Sequence, residues 1–89
     1  MHEVSIAAAI LDAVRKESDA RKPARPTKVG VRIGAMASLD PESLAFCFEA
    51  LVKGSDFEPL ELAIEHGPAD ELEFVYIELE DPKQKAVEP

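Results

Sequence analysis

The 89-residue chain is the size of one small domain, and its composition, 46% hydrophobic and 31% charged, is typical of a folded soluble domain. The net charge of −8 argues against sequence-independent binding to nucleic acid, because phosphates would be repelled by most of the surface. No apolar run approaches the roughly 20 residues that span a bilayer. No signal peptide is recognisable either, so we expect a cytoplasmic protein without a membrane partner.

The first predicted element is a helix at the start of the chain. Apolar residues recur at intervals of three and four over residues 4–14, the pattern of a helix that buries one face. We expect this helix to end near Ser18. Residues 17–27 contain Pro23 and Pro26 among charged side chains, which predicts an exposed connection.

A strand and a second helix are predicted next. Residues 28–33 alternate between polar and apolar side chains, which is typical of a half-buried strand. Asp40 can cap a helix, Pro41 suits its first position, and Glu42 complements the positive end of the helix dipole. Gly54 is expected to end this helix in a left-handed conformation.

The sequence contains a single cysteine, Cys47. One thiol excludes an internal disulfide and a closed zinc site built from several thiolates, so we expect no structural zinc. Cys47 lies on the apolar stripe of the second predicted helix. That position favours a small core residue over a reactive nucleophile.

Two further strands are predicted at residues 60–66 and 72–79, which both alternate. The Gly-Pro-Ala-Asp link at residues 67–70 is too short for a crossover between parallel strands, so we predict an antiparallel hairpin. The order helix, strand, helix, strand, strand predicts an α+β two-layer domain over residues 1–81, with both helices on one face of a small three-stranded sheet. Residues 82–89, which are mostly polar, are predicted to form a flexible tail.

The candidate metal site is formed by the first three residues, Met1, His2 and Glu3. An α-amine and an imidazole one residue away can close a chelate with the backbone nitrogen between them, and nitrogen-rich sets suit Ni(II) or Cu(II). Three residues are a weak motif, and an incidental histidine at a disordered end is the alternative. The sequence has no Gly-rich phosphate loop, GxSxG, HExxH or CxxC pattern, so an enzyme is not predicted.

Longer motifs in the same chain point to a family. The sequence reads MHEVSIA at its start, VGVRIGAMASLDPESLAFCFEALVKGSDFEPLELAIE in the middle and DELEFVYIELED near its end. In this order and over residues 1–81, these motifs closely resemble the HypA/HybF family of nickel metallochaperones for [NiFe]-hydrogenase maturation. The resemblance implies that His2 binds Ni(II), with the Met1 amine and nearby backbone nitrogens as companions and Glu3 in support. It also implies delivery of nickel to the hydrogenase large subunit, with a HypB-type GTPase as partner.

The chain departs from the family pattern at one place. The family normally inserts a zinc domain with two CxxC pairs before its last strand, where this chain has only residues 67–70. The resemblance is therefore to a short form without the zinc domain. His66, at the junction, is better explained as a surface residue than as a second nickel ligand. Two functions stay open: a zinc-free nickel-binding accessory protein, and a metal-independent module that docks on a hydrogenase or its maturation GTPase.

Overall fold

The structure, a computed structural model, describes residues 2–81, and the predicted tail at 82–89 lies outside the described residues. The elements in order are α1 (His2–Ala20), β1 (Arg25–Gly34), α2 (Pro41–Val52), β2 (Glu61–Gly67) and β3 (Leu72–Glu80). This order confirms the predicted α+β class. Within the described range, neither helix is long and apolar enough to cross a membrane.

The helix α1 forms where the apolar spacing predicts it. It buries Ala7, Ile10 and Val14 at intervals of three and four. Val4 is 43% exposed, so the buried stripe begins one turn later than the sequence predicts. The helix also continues two residues past Ser18.

The two ends of α2 are set by the residues that the sequence predicts. The Asp40 carboxylate accepts a hydrogen bond from the backbone N–H of Glu42 (Oδ1···N 3.1 Å), and Pro41 follows the cap as the first helical residue. Beyond the other end, Gly54 adopts a φ of +81°, which is strained for residues that carry a Cβ. Leu51 follows the buried Phe48 at helical spacing but is 39% exposed.

The strand β1 begins three residues earlier than predicted, at Arg25 rather than Lys28. Pro26, expected in an exposed connection, is buried and is aligned with Leu79 of β3. Proline is tolerated there because the register with β3 shifts between Pro26 and Lys28. In addition, β2 pairs with β1 only from Lys28 onwards, so Pro26 has a neighbouring strand on one side only.

The order of the strands shows that the predicted hairpin is wrong. The order is β2-β1-β3, with β2 parallel and β3 antiparallel to β1, so residues 60–66 and 72–79 lie on opposite sides of β1. The two strands still run in opposite directions, as the short link requires. Four extended residues reach about 13 Å, which is enough to pass over one intervening strand, because two strand spacings amount to about 10 Å.

The link between β2 and β3 passes over the carboxyl end of β1 and is hydrogen-bonded to it. The Gly34 N–H donates to the carbonyl of Glu71, and the Met36 N–H donates to the carbonyl of Ala69, both at 2.7 Å. A side chain at position 34 would collide with the carbonyl oxygens of Pro68 and Ala69. Glycine is therefore required for this close approach of two backbone segments.

Replacing Gly34 with alanine should destabilise the fold by about 1–3 kcal/mol, the usual cost of forcing extra atoms into a packed site. The measurement is urea unfolding followed by circular dichroism. Ala35→Ser also adds one heavy atom, one residue further on and at an exposed position, and should change stability by less than about 0.5 kcal/mol. Equal midpoints for Gly34→Ala and wild type would contradict the crossing described above.

The hydrophobic core lies between the helices and one face of the sheet, which confirms the predicted two layers. Val29, Val31 and Ile33 of β1 supply the sheet side of the core. The rest comes from both helices and from the segment after α2: Ala7, Ile10, Val14, Leu44, Phe48, Val52, Phe57 and Leu60. Cys47 is half-buried against this core, in agreement with its predicted role as a small packing residue.

The opposite face of the sheet is charged and carries a bridge between all three strands. The guanidinium of Arg32, on the central strand, donates to Glu65 of β2 (3.2 Å) and to Glu73 of β3 (3.1 Å). All three side chains are at least one-third exposed, so each ion pair contributes little to stability. Their arrangement does favour the observed strand order, since Arg32 can reach both carboxylates only from between them.

Candidate metal centre

The first turn of α1 lies against the start of α2. The Glu3 carboxylate accepts a hydrogen bond from the backbone N–H of Asp40 (Oε2···N 3.4 Å), although the two residues are 37 positions apart. Both helices therefore begin at the same end of the molecule. This is also the end where β1 finishes, because Gly34 precedes Asp40 by one short loop.

The positive end of the α2 dipole is covered by carboxylates, and an acidic residue, Glu3, lies in the first turn of α1. Asp40 uses one oxygen for the Glu42 N–H and the other for the hydroxyl of Ser43 (3.0 Å), while Glu3 accepts from Asp40. Negative side chains at helix N-termini offset the positive end of the dipole, which would otherwise repel a bound cation. The surroundings of the first turn of α1 are thus compatible with a divalent metal ion.

The Glu3 carboxylate has a hydrogen-bonding role that local sequence did not disclose. Asp40 was recognised as a helix cap and Glu3 as a supporting residue, but no sequence signal connects residues so far apart. The contact links the first turn of α1 to the start of α2. A carboxylate in this role is less available as a metal ligand.

The predicted ligands Met1 and His2 are described only in part. Met1 and the side chain of His2 lie outside the described residues, whereas the backbone of His2 opens α1. The first four N–H groups of an α-helix have no carbonyl partner within the helix. The backbone nitrogens of His2 and Glu3 belong to this set, so binding a metal there would break no hydrogen bond of the helix.

The second predicted candidate, His66, lies near the carboxyl end of β2, where it is aligned with Ile33 of β1 and is exposed. It is on the same end of the sheet as the start of α2. Among the described residues, however, no three His, Cys, Asp or Glu side chains are grouped closely enough to hold a metal ion. The structure therefore does not bring His66 into a preformed site with other described ligands.

Comparison with known proteins identifies the family of this chain. The family model described as "Hydrogenase/urease nickel incorporation, metallochaperone, hypA" matches residues 1–71. The chain belongs to the HypA family. Among its curated relatives, the hydrogenase maturation factor HypA of Aeromonas hydrophila is 34% identical over 70 residues, which cover 79% of this chain and 62% of the relative. HypA of Chlorobium limicola is 45% identical over 65 residues, which cover 73% of this chain and 56% of the relative.

A solved structure supports the fold of this HypA-family chain. The solution structure of the nickel metallochaperone HypA from Helicobacter pylori matches 83% of this chain and 70% of that chain, with a TM-score of 0.66 and 15% sequence identity. Identity this low supports the shared fold alone. The aligned residues span 62% of the Aeromonas hydrophila relative, so the chain matches only part of the length of that protein.

Proposed function

We propose that this HypA-family protein binds Ni(II) and assists its delivery to a [NiFe] hydrogenase during maturation, without catalysing a reaction of its own. Membership of a nickel-incorporation family supports the metal and the process. The observation that carries the proposal is local. The first turn of α1 has backbone nitrogens without helical partners, and it lies beside the start of α2, where carboxylates already cover the helix end.

The proposed ligands are the Met1 amine, the His2 imidazole and the backbone nitrogens of His2 and Glu3. Such a set of nitrogen donors suits the tetragonal geometry that Ni(II) accepts. The Glu3 carboxylate keeps its structural role, because it is hydrogen-bonded to Asp40. His66 is a candidate for an additional imidazole, since β2 ends at the same side of the molecule.

The proposed partners are those of hydrogenase maturation in the cytoplasm: the hydrogenase large subunit as recipient and a HypB-type GTPase as helper. Family membership supports a role in maturation, and the specific partners follow from the resemblance of the motifs. Nickel is cargo in this scheme. A protein that passes its metal on needs ligands that a recipient can displace, and an exposed chain terminus is more accessible than a buried cage.

A second candidate function is a metal-independent module that docks on a hydrogenase or on its maturation GTPase. It is favoured by the four-residue link at residues 67–70, which stands where the resembled family carries its zinc domain. This link crosses at the end of the sheet where α2 begins. In the resembled family, the zinc domain at this position would lie close to the proposed nickel site. This chain has only the four-residue link there, which favours a function without metal.

Calorimetric titration of untagged protein with Ni(II) separates the two functions. We expect one Ni(II) per chain, and elemental analysis before the titration should find no stoichiometric zinc, because one thiol and two histidines cannot form a closed four-ligand set. The protein should be purified without added metal. Absence of Ni(II) binding by protein that circular dichroism shows to be folded would favour the docking module.

A further inference from the structure

A groove lies between α2 and the edge strand β2. Its apolar lining includes Phe46 and Ala50 of α2, together with Pro59, Leu60 and Leu62 around the start of β2. Phe46 is 72% exposed although it is a large aromatic residue. Exposed apolar surface of this kind, beside a strand at the edge of a sheet, is typical of an interaction site.

The outer edge of β2 is open to pairing with another strand. β2 lies at one side of the sheet, so its outward backbone groups have no partner strand in the part of the chain that the structure describes. β2 is aligned with β1 over seven consecutive residue pairs without a shift, whereas the pairing of β3 shifts twice. Register shifts, lysine and proline protect an edge from pairing, and β2 contains none of the three.

The two faces of β2 differ in chemistry. Leu62 is aligned with the buried Val29 of β1, so Leu62 and Ile64 lie on the side of the helices, where both pack against the core. Glu61 and Glu65 lie on the opposite face and are exposed. A strand added to the edge of β2 would therefore place every second side chain towards the apolar groove and the others beside the glutamates.

The border of the groove is acidic. Its charged side chains are Glu49, Glu58 and Glu61 against Lys53 alone. Glu58 also accepts a hydrogen bond from the Gly54 N–H (3.0 Å), which leaves its charge in place. Over the described residues, none of these three acids forms an ion pair with a basic side chain. Their combined field attracts cationic groups to the groove.

We propose that the groove and the β2 edge bind an extended segment of another protein, in which apolar residues alternate with lysine or arginine. Strand addition to an open edge supplies backbone hydrogen bonds, and the surfaces beside that edge select alternate side chains. The apolar residues of the segment cover Phe46, and its basic residues meet the acidic border. Nucleic acids and anionic lipids carry the same sign of charge as that border and are repelled by it.

Nuclear magnetic resonance titration of the full chain with a short synthetic peptide that alternates lysine with valine tests the proposal. A chelator in the buffer makes the result independent of nickel binding, so it stands or falls separately from the proposed nickel function. We expect the backbone amide signals of β2 and of the part of α2 beside the groove to shift. A peptide with glutamate in place of lysine should leave them unchanged.

Methylation of the peptide backbone tests for strand pairing. In an extended segment, alternate N–H groups point to opposite edges. Of two peptides, one methylated on the lysine nitrogens and the other on the valine nitrogens, one should lose at least tenfold in affinity and the other should bind like the unmodified peptide. Equal binding by both would overturn strand addition to β2.

Two substitutions in the protein, each with a matched control, locate the site. Phe46→Ala should weaken peptide binding at least about fivefold, as expected for an aromatic contact residue. Met36→Ala, at a residue that is 77% exposed elsewhere, should not. Glu49→Lys should weaken binding by about three- to tenfold, because it replaces attraction with repulsion. Asp70→Lys makes the same change in charge at the other end of β2 and should have a smaller effect.

Circular dichroism should report the same fold for all four variants. The proposal is overturned if the peptide does not bind, if the shifted signals lie away from the groove, or if either variant behaves like its control. It is also overturned if the protein alone forms a dimer that dissociates as the peptide binds, because a second copy of the chain would then be the occupant.

Discussion

His2→Ala should lower the affinity for Ni(II) by at least about 100-fold, more than the 10–100-fold typical of removing an outer-shell partner, because it removes a direct ligand. A two-residue Gly-Ser extension before Met1 should have an effect of similar size, since it converts the proposed amine ligand into an amide. Neither change touches the hydrophobic core. The measurement is calorimetric titration of the untagged wild type and both altered proteins with Ni(II).

His66→Ala is the matched control for His2→Ala, because it removes the other histidine of the chain. A loss of affinity well below tenfold would leave His66 as a surface residue, whereas a loss equal to that of His2→Ala would make it a ligand. Circular dichroism should report the same fold for every protein. Unchanged affinity and stoichiometry in both His2→Ala and the extended protein would place the nickel site elsewhere.

The same nickel site should weaken as the pH falls through about 7 to 6. Protons compete with the metal for the imidazole, whose ordinary pKa is about 6.5, and for the amine, whose ordinary pKa is near 8. Affinity is therefore expected to be highest above pH 8 and to fall steadily below it. A site built from carboxylates alone would keep its affinity down to about pH 5, so the pH profile distinguishes the two types of ligand.

The parts of the fold that sequence predicted correctly are those specified by local signals. Asp40 and Pro41 mark the start of α2, and Gly54 marks its end, because capping and left-handed backbone depend on adjacent residues only. The buried faces of the helices and of β1 follow in the same way from spacing, since periodicity reports which side of an element is apolar.

The largest error in the prediction concerns which strands are adjacent in the sheet. The short link between β2 and β3 requires opposite directions, but it does not require the strands to be adjacent, and β1 fits between them. The sequence feature that corresponds to this strand order is Gly34, because a residue without a side chain lets the link cross the end of β1. A single glycine at a strand end is too common to be interpreted in this way without the structure.

The same distinction, between features set by adjacent residues and features set by packing, applies to the candidate metal site. The identity of Met1 and His2 as possible nitrogen ligands depends on residues adjacent in sequence, and local chemistry was enough to propose them. The contact of Glu3 with Asp40 depends on the packing of two helices separated by a whole strand. Sequence alone therefore indicated which atoms could bind nickel but not what holds the first turn in place.

Phe48→Ala should have a larger effect on stability than truncation of any smaller buried side chain that the structure describes. Phe48 is 1% exposed and is the largest of the fully buried side chains, so its truncation leaves a cavity between α2 and the sheet. The expected loss is about 3–5 kcal/mol. Small domains are stable by about 5–15 kcal/mol in total, so the variant should be close to unfolding. Urea unfolding at low protein concentration measures the difference.

Phe46→Ala, two residues earlier on the same helix, is the control for Phe48→Ala. The chemical change is identical, but Phe46 is 72% exposed, so it leaves no cavity and the free energy of unfolding should change by less than about 0.5 kcal/mol. Alanine also has a higher helix propensity than phenylalanine, which offsets part of any lost contact. If the two variants unfolded at the same urea concentration, the face of α2 that packs against the sheet would have to be reassigned. A large loss confined to Phe48→Ala would confirm that Leu44, Phe48 and Val52 form the buried face of α2.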